Sequence, residues 1–298
     1  MSRGHVDREV PELPPLTPTE RVLRSLVMTP RRLTSRWRVL PDFLILGAQR
    51  AGTTSLASHL ARHPGVFTTA PKEVHFFDLH VGRGVDWYRA HFPMRRTCEA
   101  VRRRVGGVAV GEATPYYAFH PLAAERAHAL VPDARLVFLA RDPVDRAASH
   151  YHHELRWGFE DAPTFEAALG REEERLAGEE TRLRAGSIAF SHAHNHHSYF
   201  ARGLYARQLR EWLAHFPRER LLVVGSEALF ARPVEGMARV FAFLGLPDVA
   251  LGEFPRLNAL ARPDIDADLR ARLAERYRAH NAELYELAGE DLGWETER

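Results

Sequence analysis

The feature that most constrains the fold of this chain is the segment 42–55. The apolar run 42–47 (DFLILG) is typical of a buried strand, and residues 53–62 have the pattern of a helix. Between them lies the glycine-bearing sequence GAQRAGTTS, residues 47–55. A strand, a tight glycine turn and the N-terminus of a helix direct backbone N–H groups at one point. The segment therefore predicts a binding site for a phosphate or sulfate group.

The same alternation of strand and helix continues along the chain. Further strands are predicted at 66–69, 107–113, 135–140 and 220–226, and further helices at 121–130, after Asp142-Pro143, and at 200–215, 233–244 and 265–287. Strands that alternate with helices indicate a parallel sheet covered on both faces. We expect a P-loop-like, three-layer α/β fold, in which a central, mostly parallel sheet of about five strands is flanked by helices.

The pattern divides the chain into an N-terminal arm, residues 1–40, and one domain, residues 41–298. The arm contains a short basic amphipathic helix, for which a solvated or packed position is favoured over a membrane surface. Within the domain, residues 158–198 interrupt the strands and are expected to form a cap or lid over the substrate side. Their histidine cluster, 192–197, is expected to be a polar surface rather than a metal site.

Composition excludes several classes of protein. No apolar run reaches the roughly 18 to 20 residues that span a bilayer. A single cysteine, Cys98, excludes an internal disulfide framework and a cysteine-rich zinc site, and it favours a cytoplasmic protein. With 41 basic and 39 acidic residues the net charge is only +2, so we expect no general binding of nucleic acid.

A second motif, RDPVDRAAS, follows the predicted strand 135–140. Arg141 stands at the carboxyl end of that strand, and Ser149 lies in the second turn of the next helix. In an open parallel sheet, ligands bind beyond the carboxyl ends of the strands, so Arg141 should face the same crevice as the glycine turn. A guanidinium and a hydroxyl are suited to a second phosphate group.

A third motif, PKEVHFFD, occupies residues 71–78 and contains the only lysine of the chain, Lys72. If the segment is extended, Glu73 and His75 share one face and Lys72 lies on the other. A carboxylate beside an imidazole can accept a proton from an attacking hydroxyl. Taken alone, the motif is better explained as an ordinary surface pair beside two buried phenylalanines.

In this order and register, the three motifs resemble those of sulfotransferases that use 3′-phosphoadenylyl sulfate (PAPS), especially the heparan sulfate N- and 3-O-sulfotransferase branch. The resemblance covers residues 41–294 and also includes GEATPYY and GLYARQLREWLAHFP. It implies that Glu73 is the catalytic base, with His75 as its partner, and that Arg141 and Ser149 bind the 3′-phosphate. The residues it implies for the 5′-phosphosulfate are Arg50, Ala51, Gly52, Thr53, Thr54 and Ser55. Tyr205 would flank the crevice, and Arg262 is a weaker candidate for a contact to the nucleotide.

Two residues depart from the family pattern. Arg50 stands where the family usually has lysine, and Ala113 stands where heparan-type members have lysine. The second departure argues against a polyanionic glycosaminoglycan as acceptor. We expect transfer of a sulfuryl group from PAPS to a hydroxyl or amine of a carbohydrate or small molecule, leaving adenosine 3′,5′-bisphosphate. Arg50 and Lys72 would stabilise the leaving phosphate, and no metal is expected.

Two alternatives remain at this point. An ATP-dependent small-molecule kinase also uses a P-loop, but Thr53 stands where that motif requires lysine, and the cation is Arg50, inside the loop. A non-catalytic nucleotide- or glycan-binding protein could keep the same fold. The presence together of Glu73, His75 and Arg141 argues against loss of activity.

Overall fold

The computed structural model describes residues 27–249, 251–252 and 265–294. Its five strands are β1 Phe43–Gly47, β2 Val66–Thr68, β3 Ala109–Ala113, β4 Arg135–Ala140 and β5 Leu221–Gly225. They form one sheet in the order β2-β3-β1-β4-β5, and every described strand pairing is parallel. The predicted central sheet of about five strands is confirmed.

Twelve complete helices are described. They are α1 Thr53–Ala61, α2 Val85–Arg89, α3 Arg95–Val105, α4 Ala123–Leu130, α5 Pro143–Trp157, α6 Phe165–Leu176, α7 Glu179–Arg184, α8 His192–His196, α9 Tyr205–Leu213, α10 Ser226–Ala231, α11 Pro233–Leu244 and α12 Ala267–Ala288. Shorter turns are 3-10 helices at Ser35–Trp37, Val81–Arg83, Ala201–Gly203 and Arg218–Arg220, and a π-helical turn at Phe76–His80. Residues 27–33 are also helical.

The sheet lies between two groups of helices. Helices α1 and α11 contact each other and the strands, while α9 contacts both α4 and α12. All residues of β1, β3 and β5 are buried, as expected for parallel strands covered on both faces. This arrangement is the predicted three-layer α/β fold, and it brings the carboxyl ends of β3, β1 and β4 side by side.

The segment 158–198 is fastened to the domain by buried carboxylates. Glu172 accepts hydrogen bonds from the backbone N–H groups of Phe200 (2.7 Å) and Ala201 (2.8 Å). Glu160 forms an ion pair with Arg175 inside the segment at 2.7 Å and accepts the hydroxyl of Tyr199, just beyond it, at 2.7 Å, and Arg184 Nη1 donates to the carbonyl of Pro121 at 3.1 Å. The segment therefore packs against the domain through specific polar contacts as well as apolar ones.

The expectation that the histidine cluster forms a polar surface is wrong for two of its members. His194 and His196 are 4% and 9% exposed, because α8 turns them inward. The Nδ1 atom of His194 lies 2.8 Å from the hydroxyl of Tyr116, and that of His196 lies 2.7 Å from Glu154. Among the residues described, no group of three or more histidine, cysteine or acidic side chains is arranged to hold a metal ion.

The described end of the N-terminal arm packs on the domain. Arg31 Nη2 and Arg38 Nη1 donate hydrogen bonds to the carbonyl of Phe92 at 3.1 and 2.7 Å, and Ser35 Oγ donates to Asp86 at 2.8 Å. Residues 1–26 of the arm lie outside the described part. Within the described residues, no helix has the length and apolar character required to cross a membrane.

Candidate active site

The turn after β1 is shaped by a glycine that no other residue could replace without strain. Gly52 has φ 99°, and a Cβ built there would lie 2.6 Å from the ring of Phe230. Helix α1 begins at the next residue, Thr53, which is buried, whereas Thr54 is exposed. The first intrahelical hydrogen bond runs from Leu56 N to Gly52 O, so the backbone N–H groups of Thr53 and Thr54 lie in the first turn, which has no intrahelical acceptors and where helices bind anions.

Two guanidinium groups meet at this turn. Arg50 Nε donates to Ser149 Oγ at 3.1 Å, and Arg141 Nη1 donates to the carbonyl of Arg50 at 3.0 Å. Among the described residues, neither guanidinium forms an ion pair with a carboxylate. Burial, and then the charge of Arg141, lowers the pKa of Arg50. Two cations without acidic partners beside a helix N-terminus suit a ligand with more than one phosphate group.

The other predicted donor-site residues take different positions. The hydroxyl of Tyr205, a buried residue, donates to the carbonyl of Arg141 at 2.9 Å, so Tyr205 holds the backbone of that residue. Ser226, which the sequence did not indicate, donates from Oγ to the carbonyl of Ala51 at 2.7 Å. Ser55 is buried at the start of α1. Arg262 lies outside the described residues.

The third motif is not extended, and the expectation that Lys72 faces away from Glu73 is wrong. Glu73 and His75 have φ values of 65° and 53°, so the backbone turns at both residues and gathers the three side chains. Lys72 Nζ lies 2.5 Å from Glu73 Oε1, and His75 Nε2 lies 3.5 Å from Glu73 Oε2. The carboxylate is thus held between two nitrogen groups.

Asp78 contacts the ring nitrogen of His75 that does not face Glu73. Its Oδ2 lies 2.7 Å from His75 Nδ1, and its side chain is fully buried. Asp78 is the last residue of the motif PKEVHFFD, and the sequence alone indicates no role for it. Its position three residues after His75 could have revealed it, because a helical turn places such residues on the same side. The order Asp78, His75, Glu73 orients the imidazole and fixes its charge.

Neighbouring charges keep the side chains of Glu73 and His75 ionised. Burial opposes the charge of Glu73, but the hydrogen bond from His75 and the charge of Lys72 outweigh it and hold the pKa of Glu73 at about 2. Burial likewise opposes the charge of His75, but Asp78 and then Glu73 raise its pKa to about 10. At neutral pH the cluster therefore contains a carboxylate between an imidazolium and an ammonium group.

A buried carboxylate supports the turned backbone. Glu112 accepts hydrogen bonds from the hydroxyls of Tyr88 (2.5 Å), Thr114 (2.8 Å) and Tyr117 (3.0 Å), and burial raises its pKa. The hydroxyl oxygen of Tyr117 in turn accepts the N–H of Phe76 at 2.8 Å. Glu112, Thr114 and Tyr117 belong to GEATPYY, a segment that supports the family resemblance and to which the sequence assigns no role. The tyrosines are core residues that set the backbone of the third motif.

The three motifs open onto one edge of the sheet. Gly47 ends β1, Arg141 directly follows β4, and the N–H of Glu73 donates to the carbonyl of Ala113, the last residue of β3, at 3.1 Å. These strands are neighbours, and their carboxyl ends form a ligand crevice in folds of this type. His153 Nδ1 lies 3.5 Å from Arg50 Nη1, and burial and then the charge of Arg50 lower the pKa of this imidazole, against the opposing charges of Glu154 and Glu73.

Comparisons with known proteins agree with this arrangement. Residues 40–252 match the family model described as "Sulfotransferase domain". The chain is 32% identical, over 86% of its length, to the human heparan sulfate glucosamine 3-O-sulfotransferase 3B1, and 25% identical, over 86%, to the membrane-associated sulfotransferase kil1 of Dictyostelium discoideum. It spans 65% and 67% of those two proteins.

A solved structure supports the same conclusion. The crystal structure of a sulfotransferase from Alicyclobacillus acidocaldarius superposes with a TM-score of 0.60 and 31% sequence identity. The match covers 85% of this chain and 97% of that one. The fold, the family model and the relatives coincide on the region that holds the three motifs, and the chain therefore belongs to the sulfotransferase family.

Proposed function

We propose that this enzyme transfers the sulfuryl group of PAPS to a hydroxyl or amine of a carbohydrate or small-molecule acceptor and releases adenosine 3′,5′-bisphosphate. The observation that carries the proposal is the convergence of Arg50 and Arg141 on one edge of the sheet, beside the Glu73 cluster. Membership of the sulfotransferase family supports PAPS as the donor.

The residues present fit a donor that carries phosphate at two positions. In this assignment Arg141 and Ser149 bind the 3′-phosphate, while the start of α1, with Thr53 and Thr54, binds the 5′-phosphosulfate. Arg50 belongs to both sites, because its side chain reaches Ser149 and its carbonyl holds Arg141. The planar guanidinium of Arg50 also offers two parallel donors to phosphate oxygens, which the family's usual lysine does not.

Glu73 is the general base in this proposal. A new S–O (or S–N) bond forms from the acceptor, the S–O bond to the 5′-phosphate breaks, and its electron pair stays on the phosphate oxygen. The acceptor's proton goes to the Glu73 carboxylate. Arg50 and Lys72 stabilise the charge that grows on the leaving oxygen.

Lys72 also couples the two halves of the reaction. It is one of the two cations that hold the pKa of Glu73 at about 2. If the lysine turns from Glu73 to the phosphate of the donor, the carboxylate loses that stabilisation and becomes a stronger base. Donor binding would then activate the base, which limits proton transfer in the absence of donor.

The acceptor is proposed to be less acidic than heparan sulfate, which the name of the human relative gives as its substrate. Ala113, where heparan-type members have lysine, is 3% exposed, and its carbonyl accepts the N–H of Glu73. The position thus lies next to the base, and a methyl group there offers no cation to a sulfated or carboxylated chain. A neutral oligosaccharide, glycolipid precursor or small metabolite fits better.

A labelled-donor assay tests the proposal. The enzyme is incubated with [35S]PAPS and a panel of neutral oligosaccharides, glycolipids, small hydroxyl and amine compounds, and heparan sulfate, in EDTA. Transfer of label in EDTA supports the sulfotransferase assignment. Consumption of [γ-32P]ATP with magnesium, and none of PAPS, would support the kinase instead. Binding of adenosine 3′,5′-bisphosphate with no transfer to any acceptor would support a binding protein.

The cytoplasmic location expected from the single cysteine stays a prediction.

A further inference from the structure

Exposed apolar side chains are concentrated on one part of the surface. The described residues include eight exposed large hydrophobic side chains, and five of them lie in 27–37 and 81–85. The five, with their exposed fractions, are Val27 (59%), Leu33 (77%), Trp37 (48%), Val81 (41%) and Val85 (40%). The other three, Leu155, Trp157 and Val234, belong to α5 and α11. Such a concentration is unusual for surface that faces only water.

The two segments pack against each other. The 3-10 turn Ser35–Trp37 contacts α2, which begins at Val85. Ser35 Oγ donates to Asp86 at 2.8 Å, and Val81 belongs to the turn directly before α2. We call the surface formed by Val27, Leu33, Trp37, Val81 and Val85 the arm patch. Hydrogen bonds of Arg31, Ser35 and Arg38 hold the segment 27–38 on the domain.

The charges around the arm patch are mostly positive. Arg32, Arg36 and Arg83 are exposed, and among the described residues none of them forms an ion pair. The guanidinium of Arg36 lies 4.0 Å above the ring of Trp37. Within 27–38 and 81–94 the only acidic residue is Asp86, which accepts the hydroxyl of Ser35. The surface therefore combines aliphatic side chains, an indole and exposed arginines.

The projecting shape of the arm patch indicates what kind of partner it can bind. A Cβ built on Gly82 or Gly84 would meet nothing within 4 Å, so the turn that carries Val81 projects into open space. A protein partner needs a complementary concave surface, and a second copy of this chain would place arginines against arginines. Projecting apolar side chains with a tryptophan and arginines are typical of segments that lie at a membrane interface. We propose that the arm patch docks the enzyme on the surface of an anionic membrane.

Docking of this kind is reversible and depends on salt. Each arginine near an anionic leaflet strengthens binding about fivefold, and the effect declines over a Debye length. The apolar side chains add a contribution that salt does not remove. The proposal concerns a surface outside the donor crevice and does not depend on the identity of the reaction.

Vesicle flotation tests the proposal on the full-length protein. Vesicles of phosphatidylcholine alone are compared with vesicles in which about 30% of the lipid is phosphatidylglycerol, at low and high salt. We expect flotation with the anionic vesicles at low salt and a strong decrease at high salt. Leu33→Ser with Trp37→Ser should reduce the partition coefficient by at least about tenfold, and Arg32→Glu with Arg36→Glu by about 25-fold or more.

A matched variant separates the arm patch from general surface hydrophobicity. Leu155→Ser with Val234→Ser also removes two exposed apolar side chains, which are 45% and 66% exposed, and should bind as the wild type does. Equal loss in both double variants, or no flotation of the wild type with anionic vesicles, would overturn the proposal. A dimer in sedimentation equilibrium that only Leu33→Ser with Trp37→Ser dissociates would also overturn it, since the patch would then bind a second copy.

Discussion

Arg141 Nη1 donates a hydrogen bond to the main-chain carbonyl of Arg50 at 3.0 Å. The residue at the end of β4 thereby holds the turn at the end of β1. Since the side chain of Arg50 also reaches Ser149, the pockets assigned to the two phosphorylated ends of the nucleotide form one hydrogen-bonded unit. A change at either arginine should therefore affect recognition of both ends of the donor.

Replacement of Arg141 by alanine removes the cation assigned to the 3′-phosphate and the bond that holds Arg50. A hydrogen bond to a charged group contributes about 1.5–3 kcal/mol, so affinity for adenosine 3′,5′-bisphosphate should fall by about 10- to 150-fold. Titration calorimetry measures this, with adenosine 5′-phosphate as the matched ligand that lacks the 3′-phosphate. Affinity for adenosine 5′-phosphate should fall less. An equal loss of affinity for both ligands would contradict the assignment of Arg141 to the 3′-phosphate.

Glu73→Gln should separate chemistry from donor binding. The amide keeps the shape of the side chain but cannot accept the acceptor's proton, so turnover should fall by about 100-fold or more. Affinity for adenosine 3′,5′-bisphosphate should not fall, because Glu73 contacts neither Arg50 nor Arg141 and its replacement frees Lys72 for the phosphate. Single-turnover assays and calorimetry measure the two quantities. A variant that keeps wild-type turnover would remove Glu73 from the role of base.

The charged state of His75 should appear in the pH dependence of stability. Its pKa is raised to about 10, so the stability it contributes is complete below its unfolded pKa of about 6.5 and is lost as pH rises through about 10. The pKa of Glu73, lowered to about 2, acts in the opposite direction: its contribution is present above about 4.5 and is lost as pH falls through about 2. Both contributions are therefore complete between about pH 4.5 and 6.5.

Thermal unfolding of wild type and His75→Gln at several pH values measures this effect. The difference in Tm should be about 2–4 °C near pH 6 and should decrease steadily toward pH 10. Circular dichroism at each pH is sufficient. A difference in Tm that grows as pH rises from 6 to 10 would mean that His75 is neutral in the folded enzyme.

Much of the fold could be predicted because the strands are buried on both faces. Continuous apolar runs such as 42–47 and 135–140 have few alternatives in an α/β pattern, and their observed bounds, Phe43–Gly47 and Arg135–Ala140, are almost those predicted. The helix expected at 200–215 begins later, at Tyr205. A 3-10 turn precedes it, in which Gly203 packs so closely on Tyr277 that a Cβ would lie 2.6 Å from the ring.

The geometry of the Glu73 cluster could not be predicted in the same way. The positive φ of Glu73 and His75 is imposed by hydrogen bonds to Ala113, on β3, and to Thr114, about 40 residues away in sequence. Local sequence favoured an extended segment, and only the packed core shows the turned one. The residue types of the site were visible in the sequence, but their mutual distances depend on these long-range contacts.

The hydrogen bonds of Tyr117 give a prediction about a residue that supports the Glu73 cluster without contacting substrate. Tyr117→Phe removes the acceptor of the Phe76 N–H and one donor to Glu112. We expect a loss of about 1–3 kcal/mol in the free energy of unfolding and about a tenfold lower kcat, because the backbone beside His75 loosens. Urea unfolding and steady-state kinetics measure these two effects.

Tyr88→Phe is the control for that prediction. It also removes a hydroxyl from Glu112, with the hydrogen bond of 2.5 Å, but Tyr88 makes no hydrogen bond to the backbone of the third motif. This variant should be destabilised while its kcat stays near that of the wild type. If both variants lose kcat in proportion to stability, Tyr117 has a general structural role and does not position the cluster.

The turn at Gly52 gives a prediction about space rather than charge. Gly52→Ala must adopt φ near 99° and place its Cβ 2.6 Å from Phe230, so it combines backbone strain with a steric clash. We expect a loss of about 2–5 kcal/mol in the free energy of unfolding and weaker binding of adenosine 3′,5′-bisphosphate. Gly158→Ala is the matched control, because Gly158 has φ 76° and nothing within 4 Å of a built Cβ. In that control the free energy of unfolding should fall only by the cost of backbone strain, about 1–2 kcal/mol, and nucleotide affinity should not change. Equal stability and affinity in the two variants would show that the packing of the turn against Phe230 does not shape the donor site.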